Sequence, residues 1–263
     1  MKKSLLLSTA VLALGLASAT AASAGVSGTL SSSYASDTNS DGADLWNING
    51  SLTGMVSGNW GLEATGGYHS LSETGSDNLD IWNVGGSVFW AGMQGRLAAT
   101  VNYYSTSTSG IDLDVTSYGA GGEWYAGPQF TIAVKGGGNT ISSYGSDASG
   151  GFVGGMLKWY VIPNLALSGS VDYNEYSGLH ITSEAAQLEW MFSNSLPLSI
   201  YGGYTHDDFG TGGLFGASST SNTFNVGVKF YFNNPTGGSL VDRQRSGSLG
   251  YISETSVLGL PTH

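Results

Sequence analysis

One hairpin pattern recurs through this chain at nearly fixed spacing, and it restricts the possible folds more than any other feature. Its clearest copy covers residues 154–173, G-G-M-L-K-W-Y-V-I-P-N-L-A-L-S-G-S-V-D-Y. Read with the two-residue period of a β-strand, Val153, Gly155, Leu157, Trp159 and Val161 share one face. Gly154, Met156, Lys158 and Tyr160 share the other. After Ile162, Pro163 and Asn164 the alternation resumes, with Leu165, Leu167, Gly169, Val171 and Tyr173 opposite Ala166, Ser168, Ser170 and Asp172. Pro163 falls in the turn, where its missing N–H breaks no ladder. Each arm has about the 9–11 residues that a tilted strand needs to cross a bilayer. Related units occupy residues 51–68, 87–103, 121–136 and 187–204, and Trp90, Trp124, Trp159 and Trp190 are spaced by 34, 35 and 31 residues. Such a period signals an array of supersecondary units. Two long strands per repeat, where a propeller blade has four short ones, indicate a sheet of hairpins.

Residues 1–24 read as a secretory signal. Lys2 and Lys3 form its positive start, residues 5–16 its apolar core, and Ala22, Ser23 and Ala24 a small-residue cleavage site before Gly25. No later stretch approaches 18 consecutive apolar residues, so no membrane helix is expected. Without Lys2 and Lys3 the chain has six basic against 19 acidic residues, a formal charge of −13. That balance disfavours nucleic acid as a partner. The absence of cysteine excludes disulfides and thiolate metal sites.

The alternation predicts twelve strands between residues 26 and 232, or ten if the first or sixth is miscounted. Five connections are short, at residues 57–61, 92–95, 126–129, 162–164 and 193–197. The intervening ones, at residues 36–44, 72–78, 140–150 and 207–221 among others, are mostly longer. They hold Asp37, Asp41, Glu73, Asp77, Asp112, Asp147, Asp207 and Asp208. Short turns on one side and long polar loops on the other are the layout of an outer-membrane β-barrel.

Charge decides which face meets lipid. Glu63, Arg96, Glu123, Lys135, Lys158, Asp172, Glu189 and Lys229 all fall on the face rich in Gly, Ala, Ser, Thr and Asn. A soluble barrel would turn its apolar face inward and carry roughly 25–35% charged residues outside. Here the polar face is too poor in charge for a water-facing exterior, and it suits a lumen. Trp46, Trp90, Trp124, Trp159 and Trp190 lie near strand ends of the apolar face, and Tyr68, Tyr103, Tyr173 and Tyr204 toward the opposite ends. Two aromatic rows flanking an aliphatic band match the two headgroup interfaces. Closing the sheet would satisfy every backbone group inside hydrocarbon.

With these features the chain resembles the outer-membrane β-barrel proteins of Gram-negative bacteria, in particular small porin-like barrels, over residues 25–232. The resemblance implies an all-β, antiparallel up-and-down transmembrane barrel in contact with outer-membrane lipid and lipopolysaccharide. It also implies assembly through the last strand, where Phe224, Val226, Val228, Phe230 and Phe232 match the family's terminal signal. Residues 233–263 continue past that signal, on the side that the family's topology places in the periplasm. They read as a disordered extension, with an alternative in which Arg243 or Arg245 folds back onto Glu123 or Glu189 in the lumen.

Glu63, Arg96, Glu123, Lys158, Glu189 and Lys229 lie near the short turns and alternate in sign along the chain. They form either a constriction with a transverse field that screens small solutes, or a salt-bridge cluster that fills the lumen. Asp37, Asn39 and Asp41 match the first half of a calcium loop, although position 48, where the loop's twelfth residue should be Glu, is Ile. No other cofactor is expected. Neither His206, Asp207 and Asp208 nor the isolated His69 and His180 form a catalytic set, so no enzyme activity is expected. The expectation is passive diffusion of small hydrophilic solutes, against the alternative of a closed structural or adhesion barrel acting through its acidic loops.

Overall fold

The structure, a computed structural model, describes residues 25–38, 43–72, 78–108, 111–143, 146–176, 178–211, 218–233 and 238–253. The signal-like residues 1–24 lie outside the described part. Twelve strands follow one another: β1 (Val26–Asp37), β2 (Asp44–Ser57), β3 (Trp60–Ser72), β4 (Leu79–Gly92), β5 (Gly95–Thr108), β6 (Ile111–Ala126), β7 (Phe130–Ser143), β8 (Ser146–Ile162), β9 (Leu165–Tyr176), β10 (Leu179–Met191), β11 (Leu198–Thr211) and β12 (Ser218–Phe232). Each pairs antiparallel with its sequence neighbours, and β1 pairs with β12 from Gly28↔Phe232 to Asp37↔Thr223, which closes the barrel. The ten-strand alternative is excluded.

Side-chain burial follows the alternation strand by strand. Leu97, Val134, Val171 and Val226 are more than half exposed on the outer face, whereas Arg96, Lys135, Asp172 and Asn225 point inward. The outer face therefore carries the apolar band. Trp60, Trp90, Trp124, Trp159 and Trp190 ring it at the short-turn end. At the other end stand Tyr68, Trp82, Tyr103, Tyr173 and Tyr204, with Trp82 5.3 Å from Tyr103 between ring centres. Trp46 belongs to this second ring, 6.3 Å from Tyr68, and not with the other tryptophans as its sequence position suggested. β2 runs from the long-loop end downward, so a residue near its start lies high on the wall.

Three of the connections expected to be long are tight, because the strands continue past the aromatic ring. β7 runs to Ser143 and β8 starts at Ser146, and β5 and β9 likewise end within three residues of the next strand. Above the ring both faces meet water, so the apolar–polar contrast ends while the backbone ladder does not. Ser142 Oγ donates to Asp147 Oδ1 across this upper hairpin at 2.7 Å. At the short-turn end Gly58 and Gly127 take positive φ values of 54° and 72°, which a residue with a Cβ adopts reluctantly.

The described residues that follow β12 lie within the barrel. Residues 238–253 form helix α1 (Leu240–Ser246) and a 3-10 turn (Gly250–Ile252), both inside the short-turn end. Ser239 caps α1 by accepting from the Asp242 amide. Leu240, Leu249, Tyr251 and Ile252 are all buried. The disordered extension expected from composition is thus not found over these residues. A short linker sequence says nothing about what lies within its reach.

Candidate functional site

The eight charged residues assigned to the lumen all point into the barrel, and most are engaged. Arg96 and Glu123 face each other across β5 and β6, with Nη2 2.7 Å from Oε2. Lys135 Nζ lies 3.1 Å from Asp172 Oδ1. Glu189 accepts from Ser199 Oγ at 2.6 Å, Tyr231 OH at 2.7 Å and Gln244 Nε2 at 2.9 Å. The sign alternation read along the chain is not an alternation between neighbouring walls. Glu63 stands on β3 and Arg96 on β5, and the strand between them, β4, carries only Asp80, at its long-loop end. Of the six, only Arg96 and Glu123 meet directly across a strand pair, because the charged residues are not spaced one per strand.

Much of the charge set instead holds the C-terminal segment. Arg96 donates from Nη1 to the Gly247 carbonyl at 2.8 Å, and from Nη2 to the Gln244 and Ser248 carbonyls at 3.1 Å each. Those acceptors follow or end α1, whose last carbonyls have no partner within the helix. Glu63 accepts from the Leu249 amide at 2.7 Å and from Thr53 Oγ1 at 2.9 Å. Lys158 donates to Gln244 Oε1 at 3.0 Å, and Tyr251 OH to Asp172 Oδ1 at 2.9 Å. Asn102 Nδ2 reaches the Ser253 carbonyl at 3.0 Å. The segment folds back as in the alternative to a disordered extension, but Arg243 and Arg245 do not make the contact with Glu123 or Glu189 which that alternative gave them. Arg243 donates to the Gly238 and Asn194 carbonyls, and Arg245 to the Phe130 carbonyl and Thr131 Oγ1. Gln244, between them, makes the contact with Glu189. On a helix, residue 244 is turned about 100° from both 243 and 245, so the three side chains meet different parts of the wall.

Two apolar clusters complete the seat. Leu249, Tyr251 and Ile252 pack with Phe89, Ala98 and Ala133, and Leu240 with Tyr160, Ala166, Met191 and Tyr231. Phe89, Met191 and Tyr231 lie on the face otherwise small and polar, so the sequence did carry a signal for an apolar partner there. Alternation scoring discounts such residues as noise in the polar phase. Inward glycines add room. A Cβ on Gly121 would stand 2.6 Å from Ile252 Cγ2, and one on Gly154 would collide with the Asp172 carboxylate and the Tyr251 hydroxyl.

What remains open is a cavity of about 90 Å³ running along the segment's free side. Thr29, Ser31, Asn49, Ser51, Thr65 and Asn83 form one wall, and Lys158, Lys229, Arg243, Arg245 and Glu123 border the other. Of the eight charged residues, Glu123, Lys158 and Lys229 thus reach the open space, while the other five lie behind the segment.

The remaining sequence candidates do not converge. Asn39 and Asp41 of the calcium-like loop lie outside the described residues, and Asp37 Oδ2 accepts from Ser221 Oγ at 2.9 Å. Among the described residues no three His, Asp or Glu side chains are grouped to hold a metal. Asp207 points inward and accepts from Ser183 Oγ, while His206 meets Asn222 and Asp208 is exposed. Burial, with the nearby Asp37 carboxylate as a smaller cause, raises the Asp207 pKa to about 6 against the opposing Ser183 and His206 contacts. His69 is buried against Asn47 Oδ1, 2.7 Å from its Nδ1.

No family model matches the chain, and no curated protein matches it in sequence. Solved structures do match the fold. The NanC porin aligns with a TM-score of 0.57 and 9% identity, over 76% of this chain and 98% of that one. The KdgM porin aligns with a TM-score of 0.54 and 9% identity, over 78% and 99%. An outer-membrane channel from Pseudomonas putida F1 aligns with a TM-score of 0.52 and 11% identity, over 79% and 95%. At such identities the likeness is one of architecture: a closed, antiparallel barrel of the outer-membrane porin type.

Proposed function

We propose that this protein is an outer-membrane channel for passive diffusion of small hydrophilic solutes, with its narrowest section at the short-turn, periplasmic end. The observation that carries this reading is the polar cavity left beside the C-terminal segment, between the Thr29–Asn49–Thr65 wall and Lys158 and Lys229. A barrel serving only as a scaffold has no need of such a space. The alternating charges read from sequence contribute less than the segment they hold, and Glu123, Lys158 and Lys229 are the ones a solute would pass.

Two opposing fields act on a passing ion. Lys158, Lys229, Arg243 and Arg245 border the narrow section, offset by Glu123 at its edge and by Glu189, which interacts with both lysines. The long-loop end carries Asp37, Asp44, Asp80, Asp114, Asp147, Glu175, Glu184, Asp207 and Asp208, and residues 25–263 place no Lys or Arg there. The neck's surplus of two positive charges cannot outweigh nine carboxylates with no Lys or Arg among them at low salt, so the mouth concentrates cations. The KdgM porin is known in complex with disordered oligogalacturonate. An acidic chain of that kind would be repelled at this mouth, so uncharged and cationic solutes are expected to pass more readily here.

Planar-bilayer recording on the refolded full-length protein tests both points. Discrete conductance steps are expected, with a reversal potential showing cation preference at 0.01 M salt that shrinks at 1 M, where screening falls from about 30 Å to about 3 Å. Silent bilayers despite a folded barrel would favour the closed, adhesion-type reading. Anion preference at low salt would overturn the charge argument alone.

Two surface contacts follow from the same reading. The carboxylates Asp44, Asp80, Asp114, Asp147, Glu175 and Glu184 lie on the outward phase just above the upper aromatic ring, while the basic side chains lie inside the barrel. Lipopolysaccharide phosphates would therefore meet this barrel only through divalent cations. Chelation should lower its thermal stability in membranes containing lipopolysaccharide and leave it unchanged in phosphatidylcholine. Assembly is assigned to β12, whose Phe224, Val226, Val228 and Phe230 all face outward. A Phe230→Asp chain should fold poorly in cells yet leave an isolated-detergent refolding yield closer to normal; equal yields in both settings would remove the assignment.

A further inference from the structure

We propose that the short-turn half of the lumen is a peptide-binding site whose ligand is the chain's own segment 239–253, held there as a tethered, displaceable blocker of the passage. The blocking role rests on the channel reading above; the binding site does not.

Three independent features of the wall are shaped for this ligand. Arg96 is buried, yet only part of its donor capacity goes to Glu123; the rest goes to three main-chain carbonyls, those of Gln244, Gly247 and Ser248. Main-chain recognition continues with Glu63 on the Leu249 amide and Asn102 on the Ser253 carbonyl. A wall designed merely to narrow a pore by charge would direct these groups at one another or at water. Second, Phe89, Ala98 and Ala133 break the polar phase to make an apolar seat, and Leu249 fills it with no exposure to solvent. Third, Gly121 and Gly154 leave the space that Ile252 and Tyr251 occupy. The recognised motif is a short peptide with alternating apolar anchors and free main-chain groups, L-G-Y-I-S in this chain.

The mode of attachment makes the ligand removable. It contributes no strand to the barrel, whose twelve-strand ladder closes without it through β1 and β12. Residues 233–237 form the only covalent link to β12. A tether this short keeps the segment at an effective concentration on the order of millimolar near its seat. Modest intrinsic affinity therefore suffices for occupancy, and release needs only the loss of a few anchors.

The full-length Leu249→Asp chain tests the proposal, since it places a charge in the apolar seat while leaving every barrel residue unchanged. Its single-channel conductance should rise at least twofold over the wild type. A synthetic peptide of residues 238–253, added at millimolar concentration on the short-turn side, should return it to the wild-type level, and the same peptide carrying Leu249→Asp should bind at least tenfold more weakly. Addition on the long-loop side should act more slowly or not at all. Fluorescence anisotropy of the labelled peptide reads binding without current. Binding to a barrel that conducts nothing would keep the site and remove the channel; conduction with neither peptide binding nor block would remove the site and keep the channel. If Leu249→Asp does not refold, Gly154→Val, whose Cβ meets the Asp172 carboxylate and the Tyr251 hydroxyl, displaces the segment from the wall side; its conductance should rise and the added peptide should fail to restore the wild-type level. Unchanged conductance in a folded Gly154→Val chain, with no peptide bound, overturns the proposal.

Discussion

Leu157→Arg should shift the folding equilibrium in lipid vesicles toward the unfolded side by roughly 30- to 1,000-fold, whereas Ser170→Arg, thirteen residues on, should fold normally. Leu157 is half exposed on the outer face of β8, between Trp159 of one aromatic ring and Val153, which pairs with Tyr173 of the other. That puts it near mid-depth in hydrocarbon, where an arginine costs about 2–4 kcal/mol. Ser170 lines a second, smaller lumen opening with Met156, Lys158 and Gln187, two residues from the carboxylate of Asp172. An arginine there keeps water and gains an acceptor. Urea titration of both variants in vesicles, followed by tryptophan fluorescence, measures the difference. Equal midpoints would mean that the two faces have been assigned the wrong way round, or that neither meets lipid.

Removing the Arg96 side chain should have the second large effect, on the segment and not on the barrel. Arg96→Met leaves Glu123, at the cavity's edge, with Tyr125 OH, 3.2 Å away, as its remaining described partner, and strips three carbonyls of their buried donor. Breaking one side of a buried pair costs about 3–5 kcal/mol. Helix α1 has seven residues and cannot stand alone in water, so this cost falls on the element least able to bear it. The segment should leave the lumen while the interstrand ladder stays closed. Tryptic cleavage at Arg243 or Arg245 in detergent-folded protein should accelerate at least about 100-fold, since 1.4 kcal/mol corresponds to a factor of ten. The double variant Arg96→Met/Glu123→Met removes the stranded carboxylate and should recover part of the protection. Wild-type protease resistance in the single variant would show that the apolar seat around Leu249 alone retains the segment.

Residue period and charge phase determined the barrel from sequence alone. Alternation in a strand is a local property, fixed by the backbone pleat, so Leu157, Trp159 and Val161 share one side wherever the strand lies. The same holds for the inward placement of Glu63, Arg96, Glu123, Lys135, Lys158, Asp172, Glu189 and Lys229: one two-residue step decides which side a side chain occupies. Strand number followed to within one hairpin, because each hairpin carries its own turn, and closure of β1 on β12 decided for twelve over ten. The upper ends of the strands were less legible. Above the headgroups both faces are wet, and the contrast that marks a strand vanishes while its hydrogen bonds continue through residues such as Ser142 and Asp147.

What the inward charges do was decided only by tertiary structure. Arg96 and Glu123 can be placed opposite each other once register is known, but nothing near Arg96 in sequence announces that it will also hold carbonyls about 150 residues away. Contacts of that separation depend on where the barrel's closure brings the end of β12, a property of the whole ring and of no single strand. The segment itself lacks a period long enough to read: α1 covers two turns, and Leu249, Tyr251 and Ile252 look like scattered apolar residues until Phe89, Gly121 and Gly154 are set around them. Local chemistry fixed the wall and its two faces; the lumen's occupant could be recognised only when the closed sheet gave it a complementary shape.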